Sequence, residues 1–396
     1  MEGVVGRPVK QEPSAGEIQV GLGRLVTQAM LKAYKTELDP NNKQRTQLVR
    51  YCGVARFVYN WALADRIERH KQELPTSMYE QKRWFNSVKG EQFPWIYEVA
   101  YTVLESAFAN SDRAYQSFFR RVKAGKKDVG FPRFKSRKHG LGNFTLRGNI
   151  HVHDGTIQLP KLGTIRLKED GYLPTSGVKI LSATISERAR HWFVSLQVEE
   201  PGKPVPPAGN GVIGVDIGIK VLATCSDGKV FENPRSLARY ERQLAHIQRE
   251  MSRRRKGSNN RAKTKQKVAK LHYRIANVRR FSLHEVSNYL AVKAKPETVV
   301  LEDLNVKGML QNRHLSKAIA DASFGELRRQ LEYKCSWYGV NLMVADRFYP
   351  SSKTCSSCGV KKPLLKLSER TFVCESCGVV IDRDFNASLN LAGLAK

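Results

Sequence analysis

Val212-Ile213-Gly214-Val215-Asp216 and Val299-Val300-Leu301-Glu302-Asp303 are two short apolar runs, each closed by acid. Runs of this length, rich in β-branched residues, read as strands buried on both faces. Laid side by side, they bring Asp216 and Glu302 to one sheet edge, with Asp303 competing for the same role. A third acidic stretch, Asp382-Arg383-Asp384-Phe385-Asn386, runs into helically spaced residues, so Asp382 and Asp384 compete as helix cap and as site acid. Carboxylates this close repel unless a cation or a shared proton intervenes. Two Mg²⁺ or Mn²⁺ ions roughly 4 Å apart would suit such oxygen ligands and phosphodiester chemistry.

Outward from these runs, Val221–Ser226 reads as a second strand. Asp227-Gly228 is a hairpin signal before Lys229-Val230-Phe231. Leu244, Ile247 and Met251 make one helical stripe, and Val268, Leu271, Ile275 and Val278 another. Strand 298–301, a helix over 318–338 and strand 341–344 complete an order compatible with a ribonuclease H-like α/β fold. Gly218, just past Asp216, is expected to let a phosphate backbone come close.

Upstream, prolines 201, 204, 206 and 207 mark the strongest boundary. Residues 130–200 carry alternating segments such as Thr156-Ile157-Gln158-Leu159 and read as a β-rich module. Before it, Leu48, Cys52, Ala55, Tyr59 and Ala62 share a helical face, with Asp39 as N-cap and Pro40 at the first helical position. More helix is expected over 100–123, and a strand over 31–35. Residues 1–29 have no period and read as a disordered extension.

The 396 residues carry 67 Lys and Arg against 37 Asp and Glu, a formal charge of +30, which names a polyanion as partner. No apolar run approaches the ~18–20 residues needed to span a bilayer, and no secretory h-region is apparent, so a cytoplasmic protein without a membrane partner is expected. Arg253, Arg254, Arg255, Lys256 and Lys267 form a basic stretch with almost no acidic relief. Arg133 and Lys135 alternate with Phe131 and Phe134, as in single-strand or heteroduplex binders. Arg370 is a candidate support for a scissile phosphate.

Of seven cysteines, Cys52, Cys225 and Cys335 are scattered and read as small buried hydrophobes. Cys355, Cys358, Cys374 and Cys377 form two C-x-x-C pairs, each followed by glycine, which is the spacing of a structural Zn²⁺ site. A closed four-thiolate site leaves no open position for catalysis.

The run Asp346-Arg347-Phe348-Tyr349-Pro350-Ser351-Ser352-Lys353-Thr354-Cys355-Ser356-Ser357-Cys358-Gly359 closely resembles the C-terminal part of TnpB proteins of insertion sequences. So do Glu302-Asp303-Leu304-Asn305-Val306-Lys307-Gly308-Met309, Gly214-Val215-Asp216-Ile217-Gly218 and the opening Leu31-Lys32-Ala33-Tyr34-Lys35. The resemblance covers residues 30–396. It implies an RNA-guided DNA endonuclease of a transposable element, related to compact type V CRISPR effectors. The implied fold is multidomain, α/β and β. A RuvC or ribonuclease H-like nuclease domain (206–350 and 382–396) carries an inserted zinc ribbon (351–381). An oligonucleotide-binding-like β-barrel, the wedge domain (30–39 and 130–205), carries an inserted helical recognition domain (40–129).

Carried over residue by residue, the metal-holding triad falls on Asp216, Glu302 and Asp384, and the zinc ligands on the four paired cysteines. The implied partners are a guide RNA transcribed from the transposon end, double-stranded target DNA beside a short motif, and the displaced single strand. A monomer is favoured. Two departures from the family pattern stand: 29 residues precede Met30, and no long basic tail follows the third motif. A catalytically silent guided repressor would be expected to lose the carboxylates, which all stand. A strand-transfer transposase would differ in its products, joining a 3′ hydroxyl to a second DNA.

Overall fold

The computed structural model describes residues 30–201, 209–366 and 369–395. The extension expected over 1–29 and most of the proline-rich boundary lie outside the described residues.

The chain begins with β1 (Met30–Asp39), then α1 (Asn42–Lys71), α2 (Met78–Gln92) and α3 (Tyr101–Lys123). Six strands follow: β2 (Asn143–Leu146), β3 (His151–His153), β4 (Thr156–Leu159), β5 (Gly163–Leu167), β6 (Lys179–Arg188) and β7 (His191–Glu200). With β1 they make one antiparallel sheet in the order β2-β6-β7-β1-β5-β4-β3. The three helices are therefore inserted between a central strand and its partners. They have no separate core: Leu48, Val58, Phe85 and Phe108 belong to one cluster with Phe144, Ile157 and Val194. Tyr51 of α1 meets Phe144 of β2 with ring centres 5.0 Å apart.

The start of α1 differs from the sequence expectation. Asn41, not Asp39, is the N-cap. Its carboxamide oxygen accepts the Gln44 N–H at 2.9 Å, and the Gln44 side chain accepts the Asn41 N–H at 3.0 Å. This reciprocal box satisfies two orphan donors at once, which Asp39, still paired in β1, does not do.

After the boundary come β8 (Val212–Ile217), β9 (Val221–Cys225), β10 (Val230–Glu232), α4 (Ser236–Arg253) and α5 (Asn259–Asn288). A π-helical turn, Tyr289–Ala294, leads into β11 (Thr298–Leu301). Then follow α6 (Val306–Met309), α7 (Ser316–Ala322), α8 (Phe324–Tyr338) and β12 (Asn341–Val344). The chain ends with β13 (Thr371–Val373), β14 (Val380–Asp382) and α9 (Arg383–Gly393). The second sheet has the order β10-β9-β8-β11-β12; the first three strands are antiparallel, and β11 runs parallel to both β8 and β12.

Both faces of this sheet are covered, as its apolar runs require. Leu283 and Val286 of α5, with Leu327 and Leu331 of α8, pack against Val215, Val299 and Leu301. Leu391 of α9 packs against Val300 on the other face. Gly214 permits that second contact: a Cβ there would lie 2.0 Å from the Ser388 carbonyl oxygen. The single helix expected over 318–338 is instead α7 and α8, broken at Ser323 with φ +56°. Asp321, just before the break, is held by Arg279 at 2.5 Å and accepts the Leu237 N–H at 2.7 Å, capping the start of α4.

Candidate active site

The register Leu301↔Val215 between parallel strands makes the next residues, Glu302 and Asp216, neighbours at the same sheet edge. Asp384 arrives from α9. Its neighbour Asp382 is the N-cap, accepting the N–H groups of Asp384 at 2.9 Å and Phe385 at 3.0 Å. That division of labour leaves the Asp384 carboxylate free of capping duty. Asp216, Glu302 and Asp384 line one cavity of about 870 Å³.

The electrostatics there are those of crowded acids. Burial, then Glu302 and Asp384, push the Asp216 carboxyl well above its ordinary value. Burial also raises Glu302, against the pull of Ser351, whose hydroxyl donates to Glu302 Oε1 at 2.5 Å. Asp303 belongs elsewhere. Arg347, at 2.5 Å, and Arg328, at 2.8 Å, draw it out of the cavity and hold its carboxyl below the usual range. Raised, mutually repelling carboxylates with oxygen ligands to offer fit a hard divalent cation.

Arg383 donates to Asp384 Oδ1 from Nε at 3.1 Å and Nη2 at 2.9 Å, and from Nη1 to the Glu369 carbonyl at 3.1 Å. Arg370 Nη1 lies 3.8 Å from Asp384 Oδ2 and also lines the cavity. Lys220, Lys353 and Lys366 complete a cationic rim. Ile217, Ile219, Leu304 and Met309 pack on Ile319 and Phe324 and form an apolar wall. Sequence reasoning missed Arg383 and Ser351, although Arg383 sits between the two competing aspartates. Gly218 has a local reason: a Cβ there would meet the Val221 carbonyl oxygen at 3.0 Å, inside the β8–β9 turn.

The four paired cysteines converge, with all four Sγ atoms within 4.8 Å of one another. Cys355 and Cys377 Sγ are 3.6 Å apart, and Cys358 and Cys374 Sγ 3.5 Å. A tetrahedron with Zn–S bonds of about 2.3 Å has edges of about 3.8 Å, so the cluster fits zinc. The two knuckles repeat one geometry. The N–H groups of Gly359 and Gly378 donate to the Cys355 and Cys374 carbonyls at 2.9 Å, each glycine at φ +75°.

The basic candidates divide. Arg253, Arg255, Lys256 and Lys267 are exposed around the α4–α5 hairpin. Arg254 turns inward and donates to Glu250 at 2.5 Å, and Thr264 donates to the same carboxylate at 3.2 Å, so one acid just outside the stretch relieves Arg254. Lys135 Nζ sits 3.9 Å from the Tyr59 ring centre, and its backbone exchanges two hydrogen bonds with Asn60. Phe131 packs edge-on to Phe118 and Tyr115, yet it is exposed, as are Phe134 and Arg133. None of these lines the carboxylate cavity; of the arginines named from sequence, Arg370 does.

The structure thus defines a multidomain α/β protein with a carboxylate cavity beside a four-thiol cluster. The chain belongs to the TnpB family of insertion-sequence proteins. Family models described as "Helix-turn-helix domain", "Probable transposase" and "Cas12f1-like, TNB domain" match residues 30–74, 193–313 and 324–391. The first of these regions folds as β1 and α1. A Streptomyces pristinaespiralis protein named "Putative RNA-guided DNA endonuclease" is 38% identical, over 93% of this chain and 90% of its own. InsQ of Escherichia coli K12, with the same description, is 32% identical over 91% of each. The solved structure of the mini-RNA-guided endonuclease CRISPR-Cas phi3 aligns over 94% of this chain and 93% of its own, with 11% identity and a TM-score of 0.49.

Proposed function

We propose that the protein is an RNA-guided DNA endonuclease that hydrolyses target phosphodiesters at the Asp216–Glu302–Asp384 cavity. One observation carries the reading: three acids from two parallel strand ends and a helix share one cavity under a rim of arginine and lysine. A protein of charge +30 has little reason to gather half-buried carboxylates unless cations bind them. The relatives' names supply the guide and the DNA substrate.

In this reading the second sheet, β8 to β12, is a RuvC or ribonuclease H-like core spanning 206–350 and 382–396, and 351–381 is a zinc ribbon. The seven-stranded sheet is the oligonucleotide-binding-like wedge domain, with the 40–129 helices as recognition domain. Guide and target pair in a channel lined by the chain's excess cations, and the displaced strand reaches the cavity.

Asp216, Glu302 and Asp384 would hold Mg²⁺ or Mn²⁺, which would supply Lewis-acid polarisation and a more acidic water there. The chain's own part is positional. Ser351 orients Glu302, and Arg383 orients Asp384. Burial, with the neighbouring acids, raises the carboxyls of Asp216 and Glu302, so a cation would compete with protons for them. Arg370, facing Asp384 from the cavity side, offsets charge that grows on the phosphate. The apolar wall of Ile219, Leu304 and Met309 excludes water and offers a base a surface to lie on.

The test is co-expression with the flanking element DNA, sequencing of nuclease-protected RNA, and cleavage of a matching duplex with Mg²⁺. A discrete RNA ending in flanking sequence, with cleavage lost and guided binding kept in Asp216→Ala, is the expected result. Heterogeneous RNA on a folded, zinc-loaded protein refutes the guided reading.

A further inference from the structure

We propose that Ser351, Asn386 and Asn390 are positioning residues that couple the four-cysteine cluster to the carboxylate cavity, so that zinc occupancy sets how tightly the carboxylates hold a divalent cation. The inference rests on the carboxylates being a cation site, as read above.

Residues 351–356 join the end of the second sheet to the first cysteine knuckle, and they are clamped from two sides. Ser351, buried, donates through its hydroxyl to Glu302 Oε1 at 2.5 Å. Its carbonyl accepts from Asn390 Nδ2 at 2.7 Å. Asn390 Nδ2 also donates to the Thr354 carbonyl at 2.6 Å. Asn386 Nδ2 donates to that same carbonyl at 2.7 Å, and Asn386 Oδ1 accepts the Ser356 N–H at 2.9 Å. Thr354 and Ser356 flank Cys355, whose sulfur is one of the four.

Asn386 stands two residues after Asp384 and is fully buried; Asn390 follows one turn on. Asparagine is a poor helix former, and a buried carboxamide is costly unless bonded. Two asparagines on the buried side of α9 are explained by the backbone they bind. That backbone leads one way to Cys355 and the other to Glu302, while α9 itself carries Asp384. Loss of the thiol cluster therefore loosens one segment that touches both ends of the carboxylate set. Hydrogen-bonded partners of metal ligands commonly tune affinity about 10- to 100-fold.

The test measures Mn²⁺ binding to the full chain by the free-ion EPR signal, with zinc content determined by chelator release and folding by circular dichroism. Ser351→Ala and Asn386→Ala are expected to keep their zinc and weaken Mn²⁺ binding by about tenfold. Ser351→Thr, which retains the hydroxyl, restores affinity. Zinc-free Cys358→Ser weakens Mn²⁺ binding to a similar degree. The double variant Cys358→Ser with Asn386→Ala is then no weaker than either single one, because both break the same link. Unchanged Mn²⁺ affinity in Cys358→Ser, or fully multiplicative losses in the double variant, overturns the coupling. If Asn386→Ala fails to fold, the Ser351 pair decides: equal affinities for alanine and threonine overturn it. A wild-type protein that binds no Mn²⁺ overturns the cation reading itself, and the coupling with it.

Discussion

Replacing Gly214 with alanine should separate the acids of the cavity without touching any of them. The new Cβ would stand 2.0 Å from the Ser388 carbonyl oxygen, 2.4 Å from the Ala392 nitrogen and 3.0 Å from the Leu391 carbonyl carbon. All three are backbone atoms of α9, so no side chain can swing aside. Ordinary contact begins near 3.4 Å, so the helix must recede from β8 by about 1.4 Å. Overpacking of this kind costs about 1–3 kcal/mol, read as a fall of several degrees in Tm. The functional loss should be larger. Asp384 rides in the first turn of the displaced helix while Asp216 stays on β8, and a misplacement of about 1 Å can cost 10²-fold in rate. Single-turnover cleavage of a matched duplex with saturating guide, alongside thermal melting and zinc content, reads all three. We expect at least a hundredfold loss of rate with zinc retained. Cleavage within threefold of wild type, in a protein that melts normally, would refute the argument that α9 and β8 set the acid spacing. Gly325→Ala on α8 is the internal control: its Cβ meets nothing within 4 Å, and its effect should be much smaller.

Asp382→Ala removes the α9 cap and should cost about 1 kcal/mol, with cleavage falling because the turn carrying Asp384 frays; thermal melts and rates test this together. Glu302→Gln should abolish cleavage, whereas Asp303→Asn, which only loosens Arg347 and Arg328, should keep most of it; the opposite pattern in a cleavage assay would reassign the acid. In EDTA, stability should fall as pH rises. The native carboxyls of Asp216 and Glu302 are raised, so the folded state binds more protons than the unfolded one. The fall begins near pH 4, where free carboxylates titrate, and continues up to the raised native values. Asp216→Asn or saturating Mg²⁺ should flatten the slope in melts scanned against pH.

What sequence reading reached, and where it stopped, has physical causes. The strands 298–301 and 341–344 were legible to the residue, because unbroken apolar runs bounded by charge and turns leave little choice. The hairpin at Asp227-Gly228 was legible for a local reason as well. The C-x-x-C spacing singled out the four cysteines and the apolar run before it singled out Asp216, but pattern alone left Asp303 beside Glu302 and Asp382 beside Asp384, and the resemblance to TnpB proteins made those two choices. The N-cap of α1 escaped because Asp39 and Asn41 are both good caps, and only the pairing of Asp39 in β1 separates them. The break at Ser323 stands next to Asp321, which binds α5 and α4, and those partners lie far along the chain. The inward turn of Arg254 depends on Glu250, four residues before it on the helix. Ser351, Asn386 and Asn390 act on residues 30 or more positions away, where no local pattern reports them; Arg383 binds its own neighbour Asp384, but an arginine beside an aspartate is too common a pair to stand out.

The position of β1 bears on how the chain is made. It is the first described strand to leave the ribosome, yet it lies at the centre of its sheet, paired with β7 from Met30↔Glu200 to Leu38↔Trp192. Lys32 and its partner Glu200 stand 168 positions apart. At about 5–20 residues per second, the strand waits about 8–30 s for that partner, with both edges open. During that wait Met30, Tyr34 and Leu38, on the inward side of β1, are exposed to other nascent chains. Its lysines, Lys32 and Lys35, are the kind of charge that discourages stray pairing at an open strand edge. Yield during synthesis, as much as cleavage, is therefore a property written into the first ten described residues.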